Sequence, residues 1–279
     1  MKTLSVALLV LIVMSGQLNA DNHSAANNKI ILNLNSASEV LVNGFIAPIG
    51  ETVSNSGKNW DPLTNMRVAE PEMQHPASVF HAFLPDKPVS VGEHWKVEPD
   101  GALELLRQLH PNPSLNMHIN TGDSYGLWAC LRAYNDEFAD IVFRIHAEFV
   151  FEDGWFTPSQ FAGHLVINRV KESVAFFVMR VPEGPVNFDF NRITPIGRIA
   201  GMGFCSQVEL RAGTQDLLED IEFVASITQA AAERALILRF YKSQQINWIA
   251  PDQVLEMARV QQKPIHAISI DGPLVDESC

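Results

Sequence analysis

The chain has 279 residues, of which 47% are hydrophobic, and its formal net charge at pH 7 is −12. This length is sufficient for one large domain or two smaller ones with a buried core. The acidic balance argues against nucleic acid or an anionic membrane surface as a partner, since both carry negative charge themselves.

The N-terminus has the pattern of a secretory signal peptide. Lys2 supplies a positive charge, residues 4–14 form an apolar run, and Ala20 is a small residue that suits cleavage before Asp21. We therefore expect residues 1–20 to be removed and the mature protein to be exported, to the periplasm or the cell envelope. The alternative is an uncleaved N-terminal anchor, and only in that case do we expect association with a membrane.

Residues 21–213 are predicted to form a β-rich, antiparallel domain, because apolar and polar residues alternate through most of this segment. Asn43-Gly44, between the apolar residues 40–42 and 45–46, is a strong signal for a hairpin. Further strands are predicted at 79–84, 89–97, 140–151 and 208–211, a hairpin at 163–170 and 174–181, and one short helix at 102–109.

The glycine-rich segment 195–204, PIGRIAGMGF, is predicted to be a loop. Its spacing fits neither of the glycine motifs that bind nucleotides, so no nucleotide site is expected there.

The hydrophobic period changes after Gly213. Residues 214–246 are predicted to be a helical connector, which contains a long helix at 228–245. Residues 247–279 are predicted to be the N-terminal part of a thioredoxin-like domain, because a helix at 251–262 precedes a β-run at 264–270, a turn and a cysteine. The predicted fold class is therefore α+β: a β-rich antiparallel domain followed by an incomplete thioredoxin-like β-α-β segment.

A row of polar residues interrupts the apolar strand 143–149, FRIHAEF. The alternation of side chains places Arg144, His146 and Glu148 on one face, where His164 could join them. They could form a catalytic or metal site, or they could be a solvated strand face with cross-strand pairs. The solvated face is the favoured interpretation, because the spacing is not one that zinc ligands use. No metal site and no cofactor are predicted.

The three cysteines stand in different settings. Cys130 and Cys205 lie among apolar residues, where buried inert thiols are the default and a disulfide between the two is the alternative. Cys279 follows Ser278, a residue type that caps helix N-termini, and a thiol at a helix N-terminus ionises more readily. A terminal cysteine with no role is the alternative interpretation.

Two blocks of the sequence, VFRIHAEFVFEDGWFTPSQFAGHLV at 142–166 and KPIHAISIDGPLVDESC at 263–279, resemble the selenoprotein N family. The resemblance implies a thioredoxin-like thiol/selenol oxidoreductase that acts on protein thiols and disulfides. Ser278 and Cys279 match the first two positions of the family's Ser-Cys-selenocysteine-Gly motif, so they are the expected catalytic residues. Cys279 is then one half of a redox pair, and its expected partner is a selenocysteine directly after it, encoded by UGA.

One feature limits what the resemblance implies. The sequence has no D-x-[DN]-x-[DN]-G run, so the calcium loop of the animal members is not expected here. The competing hypothesis is a non-enzymatic exported module, in which the β-rich domain binds an apolar or protein ligand.

Overall fold

The structure is a computed structural model that describes residues 28–53, 57–115, 126–184, 186–214, 216–240 and 249–265. The helices are α1 Asp61–Thr64, α2 Pro99–Leu109, α3 Asp216–Asp220, α4 Gln229–Phe240 and α5 Pro251–Gln261, together with a 3-10 helix at Ala77–Phe83. The strands are β1 Glu39–Ile46, β2 Glu51–Thr52, β3 Glu72–Pro76, β4 His94–Lys96, β5 Pro113–Ser114, β6 Leu127–Tyr134, β7 Phe138–Ile145, β8 Glu148–Phe151, β9 Gly154–Pro158, β10 Phe161–Asn168, β11 Ser173–Arg180, β12 Phe188–Thr194, β13 Gly197–Phe204, β14 Val208–Ala212 and β15 Ala225–Ser226.

The strands form two antiparallel sheets, so the predicted α+β class with a β-rich antiparallel part is confirmed. The larger sheet has the order β15-β6-β7-β10-β11-β14-β1-β3, and β4 also pairs with β6. The smaller sheet has the order β2-β13-β12-β9-β8-β5. The thioredoxin-like segment is not confirmed, and residues 266–279 lie outside the described part of the chain.

The chain changes from one sheet to the other at short junctions. β7 belongs to the larger sheet and β8 to the smaller one, and only His146 and Ala147 separate them. The chain returns to the larger sheet through Ser159 and Gln160, between β9 and β10. Where a strand leaves a sheet, its backbone groups need other partners, and side-chain amides can supply them.

The inner face of the larger sheet packs into an aromatic core. Along β7 the residues at odd positions, Ile141, Phe143 and Ile145, are fully buried in this core. The Phe143 ring stacks on Phe177 of β11 at 5.8 Å between centroids and packs against Phe83 at 4.6 Å. Each such fully buried ring contributes about 1.5–3 kcal/mol to the free energy of unfolding by removing apolar surface from water.

The outer face of the same sheet is covered by helices along part of its width. Ala232 and Leu236 of α4 pack on Cys130 and Val142. Three residues of the segment around α3 pack on the neighbouring strands β10 and β11: Leu217, Leu218 and Ile221. The segment predicted as a helical connector thus contains α3, β15 and α4, and all three contact the larger sheet.

Several predicted elements are confirmed with shifted ends. The hairpin predicted at 163–170 and 174–181 is β10 and β11, which pair antiparallel through His164↔Val178. The predicted helices at 102–109 and 251–262 are α2 and α5, and the described part of the helix predicted at 228–245 is α4.

The hairpin predicted at Asn43-Gly44 is wrong, because both residues lie inside the continuous strand β1. β1 pairs with β14 and β3 on its two sides, and Gly44 faces a close neighbour in the fold. A Cβ atom at Gly44 would lie 2.9 Å from the Cγ2 atom of Val68. This glycine therefore permits a close approach within a strand and makes no turn.

Two further predictions are wrong for local reasons. The strand predicted at 79–84 is part of the 3-10 helix, in which Ala77, Phe80 and Phe83 share one buried side at a spacing of three residues. The loop predicted at 195–204 contains the strand β13, in which Gly201 pairs with Phe190 of β12 and Gly203 pairs with Phe188. A run of glycines thus accompanies large rings on the partner strand.

Candidate functional site

The predicted catalytic residues, Ser278 and Cys279, lie outside the described residues. The helix that precedes them is α5, and its C-terminal capping residue, Gln262, adopts the left-handed backbone conformation. Every residue of α5 is at least partly exposed. The predicted β-run at 264–270 continues outside the described residues from position 266.

The other two cysteines are buried and unpaired. Cys130 is fully buried beneath α4, and burial together with the nearby charge of Asp140 raises the pKa of its thiol to about 11. Burial also raises the pKa of the Cys205 thiol, which lies in the main core. The predicted buried, inert thiols are confirmed, and the alternative disulfide between them is not formed. Neither thiol provides a thiolate at neutral pH.

The polar row in β7 and β8 is not a solvated face, so the favoured interpretation of Arg144, His146 and Glu148 was wrong. Their residues are only 3%, 7% and 3% exposed. They are buried because β7 gives way to β8 at a junction between the two sheets and because α4 covers this part of the outer face. The sequence of the strand itself does not predict that a helix covers it.

We define the junction cluster as Gly126, Arg144, His146, Gln160 and Phe240. The Nε group of Arg144 donates a hydrogen bond to Oε1 of Gln160 at 2.8 Å, and Nε2 of Gln160 donates to the carbonyl oxygen of Gly126 at 3.0 Å. The backbone amide of His146 donates to the same carbonyl at 3.0 Å. The His146 ring stacks on Phe240 at 5.3 Å between centroids.

Gly126 fits this cluster because it lacks a side chain. Its φ angle is +69°, a left-handed conformation that favours glycine. An added Cβ atom would also lie 2.7 Å from Cβ of His146 and 2.7 Å from Cε2 of Phe240. The junction cluster is thus tightly packed around the point where the chain changes sheets.

A second group of polar residues, the ion-pair cluster, consists of Arg132, Asp140 and His164 on three adjacent strands. Asp140 is completely buried, and its carboxylate pairs with Nε of Arg132 and accepts a hydrogen bond from Nδ1 of His164 at 3.0 Å. A buried carboxylate is retained only when charged or hydrogen-bonded partners compensate for the loss of water. Asp140 therefore fixes the orientation of the His164 ring.

The structure places His164 with Asp140 and Arg132, and it places Arg144 and His146 in the junction cluster. Sequence reasoning missed Asp140, Arg132 and Gln160. The available signal was an acidic residue, Asp140, in an apolar strand on the same face as Arg144. In the described part of the chain, no group of three histidine, cysteine or carboxylate side chains is arranged to hold a metal ion.

Together, these features define an α+β protein with two antiparallel sheets, buried polar clusters and no ionised thiol among the described residues. Comparison with known proteins identifies relatives by sequence. Selenoprotein N from Danio rerio is 27% identical over 263 residues, which cover 73% of this chain and 47% of the relative. Selenoprotein N from Mus musculus is 24% identical over 281 residues, which cover 80% of this chain and 49% of the relative.

The human protein gives a similar result: selenoprotein N from Homo sapiens is 24% identical over 281 residues, which cover 80% of this chain and 46% of the relative. The sequence is thus related to that of selenoprotein N. It spans about half the length of the curated relatives it matches. No protein-family model and no solved structure matches the sequence. Among the described helices, none is long and apolar enough to cross a membrane.

Proposed function

We propose that the protein is an exported thiol/selenol-disulfide oxidoreductase of the selenoprotein N type. In this proposal, residues 247–279 open a thioredoxin-like domain, and Cys279 is one half of a Cys–selenocysteine pair. The partner is the selenocysteine that follows the matching Ser-Cys segment in the family. The substrates are the thiols and disulfides of other proteins in an oxidising compartment.

The relationship to selenoprotein N over 73–80% of the chain is the observation that carries this proposal. The two buried thiols add support by elimination, because Cys130 and Cys205 are both protonated and inaccessible at neutral pH. Cys279 is the remaining cysteine of the sequence. A redox role for a thiol of this chain therefore falls on Cys279.

The reaction proceeds by two exchanges. A selenolate attacks one sulfur of a substrate disulfide, the S–S bond breaks, and the other sulfur leaves as a thiolate that takes up a proton. The thiolate of Cys279 then attacks the selenium of this mixed selenenyl sulfide, and the Se–S bond to the substrate breaks. The second substrate sulfur leaves as a thiolate that takes up a proton, so the substrate is released as a dithiol. The enzyme is left with an S–Se bond, so two electrons have passed from the enzyme pair to the substrate.

The first experiment is the intact mass of the protein purified from its native source, with its selenium isotope pattern. We expect a species heavier than the chain Asp21 to Cys279 that contains selenium. The same spectrum tests cleavage before Asp21, and hence export. A mass that matches residues 21–279 without selenium would overturn the redox pair, and the non-enzymatic binding module would then be the better hypothesis.

A second experiment measures thiol reactivity with iodoacetamide at pH 7 in the native protein. We expect rapid modification of Cys279, no modification of Cys130 or Cys205, and loss of disulfide reductase activity in Cys279→Ser. Cys130→Ser is the matched control, because it also removes one thiol and should keep full activity. Equal activity of Cys279→Ser and the control would contradict the proposed role.

A further inference from the structure

A pocket of about 150 Å³ lies between the outer face of the larger sheet and the helices α3 and α4. Its polar lining residues come from three neighbouring strands and the first half of α4: His164, Arg180, Arg211, Gln229 and Glu233. A single water molecule needs only a small part of this space. The pocket therefore has room for a small polyatomic ion.

The strand register explains why the basic side chains meet. Val178 of β11 pairs with His164 of β10 on one side and with Arg211 of β14 on the other. Paired residues point to the same face of a sheet, and so does the residue two positions further along the strand, Arg180. Two guanidinium groups and one imidazole thus line one pocket, against the single carboxylate of Glu233.

Both arginines of this pocket have N–H groups that no described residue accepts. Nε of Arg211 is buried and has no hydrogen-bond partner among the described residues, and Nη2 of Arg211 lies 3.5 Å from Glu209. Arg180 is exposed to solvent, and its guanidinium forms no ion pair within the described part of the chain, although Glu209 is its register partner. A buried N–H group without a partner is unfavourable, and a bound acceptor would remove that cost.

The ion-pair cluster fixes the orientation of the imidazole of His164, which also lines the pocket. Asp140 holds Nδ1 of His164, which leaves Nε2 as the other polar atom of this pocket-lining ring. Because Asp140 is completely buried, the ring orientation is set from beneath the sheet surface. A ring that donates its Nδ1–H to Asp140 presents Nε2 as an acceptor unless it is protonated, so the donors for an oxyanion are the guanidinium groups of Arg180 and Arg211.

The carboxylate of Glu233 favours an oxyanion that carries a proton over one that does not. Its Oε1 atom accepts a hydrogen bond from Nε2 of Gln229 at 2.8 Å, and the carboxylate lines the same pocket as the arginines. Phosphate at neutral pH keeps a P–OH group that can donate to a carboxylate. Sulfate has no proton to donate, so the same carboxylate repels it.

We propose that this pocket binds a phosphate group, with Arg180 and Arg211 as donors and Glu233 as an acceptor of the P–OH proton. A carboxylate ligand, like sulfate, has no proton to donate to Glu233, whereas phosphate donates its P–OH proton and keeps further oxygens for the two guanidinium groups. The ligand is free inorganic phosphate, because a phosphate monoester is mainly a dianion at about pH 7 and then has no P–OH proton for Glu233.

The test is titration calorimetry of the full chain with inorganic phosphate, sodium sulfate and glycerol phosphate in a chloride buffer at low ionic strength. We expect saturable binding of phosphate, with sulfate at least tenfold weaker. Arg180→Gln and Arg211→Gln should each weaken phosphate binding tenfold or more. Arg198→Gln is the matched control, since Arg198 is an exposed arginine of β13 in the other sheet, and it should leave binding unchanged.

Glu233→Gln gives the sharpest result, because a glutamine no longer repels sulfate. We expect it to raise sulfate affinity and to bring sulfate and phosphate close together. Glycerol phosphate should bind more weakly than inorganic phosphate, and tighter binding of glycerol phosphate would contradict the role of the P–OH proton. Absence of saturable binding, equal affinities of the wild-type chain for sulfate and phosphate, or an equal loss in Arg198→Gln would overturn the proposal. Circular dichroism of each variant checks the fold.

Discussion

The two faces of the larger sheet are both buried where β7 and β10 lie side by side, but they are built from different chemistry. The inner face presents Phe143 and Leu165 to an aromatic core. The outer face of the same two strands presents Asp140 and His164, which pair with each other beneath the helices. Alternation along a strand separates an apolar layer from a polar one by a single residue.

The difference lies in what covers each face. The inner face packs on the second sheet, α2 and the 3-10 helix, which share one hydrophobic cluster with it. The outer face is covered by α3 and α4, which follow the last long strand, β14, in the chain. Apolar packing therefore dominates the inner face, whereas charge pairing and a partial helical cover determine the outer one. The following predictions test this contrast in order of expected size.

The largest effect is expected for Phe143→Ala on the inner face. The substitution removes a ring that contacts Phe83 and Phe177, and we expect a loss of about 3–5 kcal/mol in the free energy of unfolding, measured by urea denaturation. Phe45→Ala on β1 is the matched control, since Phe45 is 46% exposed and should cost less than about 1 kcal/mol. Similar losses for the two variants would contradict a core centred on the inner face.

On the outer face, we expect Asp140→Asn to cost about 3 kcal/mol in the free energy of unfolding. It leaves the Arg132 and His164 side chains, which are only 16% and 13% exposed, without their charged partner. Glu104→Gln is the matched control, because Glu104 pairs with Arg107 at the surface and should contribute less than about 1 kcal/mol. If both variants lose equally little in urea denaturation, the ion-pair cluster is not desolvated as the structure indicates.

This contrast also marks the limit of what the sequence could predict. Elements with strong local signals were predictable, such as the β10–β11 hairpin and α2, and the family resemblance was predictable from two blocks of sequence. The burial of Arg144 and His146 was not, because it depends on a helix that begins at Gln229. A polar residue in a strand looks the same in the sequence whether water or a distant helix covers it.

The glycines were misleading for a related reason. The sequence predicts a turn at Gly44 and a loop at Gly201, but both residues lie within paired strands next to bulky side chains. Turn chemistry is local, whereas a close approach of two chain segments depends on the tertiary fold. The roles of Ser278 and Cys279 remain predictions, since both residues lie outside the described part of the chain.

A third prediction uses the Cys130 thiol as a probe of the outer face. Its pKa is raised from 9.0 to about 11, so between these pH values the folded chain keeps a proton that the unfolded chain releases. The stability that this thiol contributes is complete below pH 9 and is lost as the pH rises toward 11, by on the order of 2 kcal/mol. Urea denaturation at pH 8.5 and 10.5 measures the loss.

Cys130→Ala is the control, because it removes the titrating group and keeps a small apolar side chain beneath α4. Other groups titrate in the same range in both proteins, so the difference between the two pH dependences isolates Cys130. A pH dependence that is the same in both would mean that the thiol reaches water and that α4 does not seal this part of the face.

The smallest effect is expected at the far end of α4, where Nη2 of Arg239 contacts Nε2 of His94 and the guanidinium lies 5.2 Å from the Trp128 ring. Only a neutral imidazole can accept this hydrogen bond. Burial, followed by the charge of Arg239, lowers the pKa of His94 below its ordinary value. Below about pH 6.5 the unfolded chain therefore binds a proton that the folded chain resists, and stability falls as the pH decreases.

The expected loss between pH 7.5 and 5.5 is a few tenths of a kcal/mol, because the ring is partly exposed and water screens the interaction. His94→Gln is the matched variant, since a glutamine oxygen can accept from Arg239 at either pH, and it should lack this part of the pH dependence. Hydrogen exchange of the α4 amides should also quicken at pH 5.5 in the wild-type chain more than in the variant. If α4 instead exchanges alike in both proteins, its C-terminal end is held by the stacking of Phe240 on His146 and not by the contact with β4.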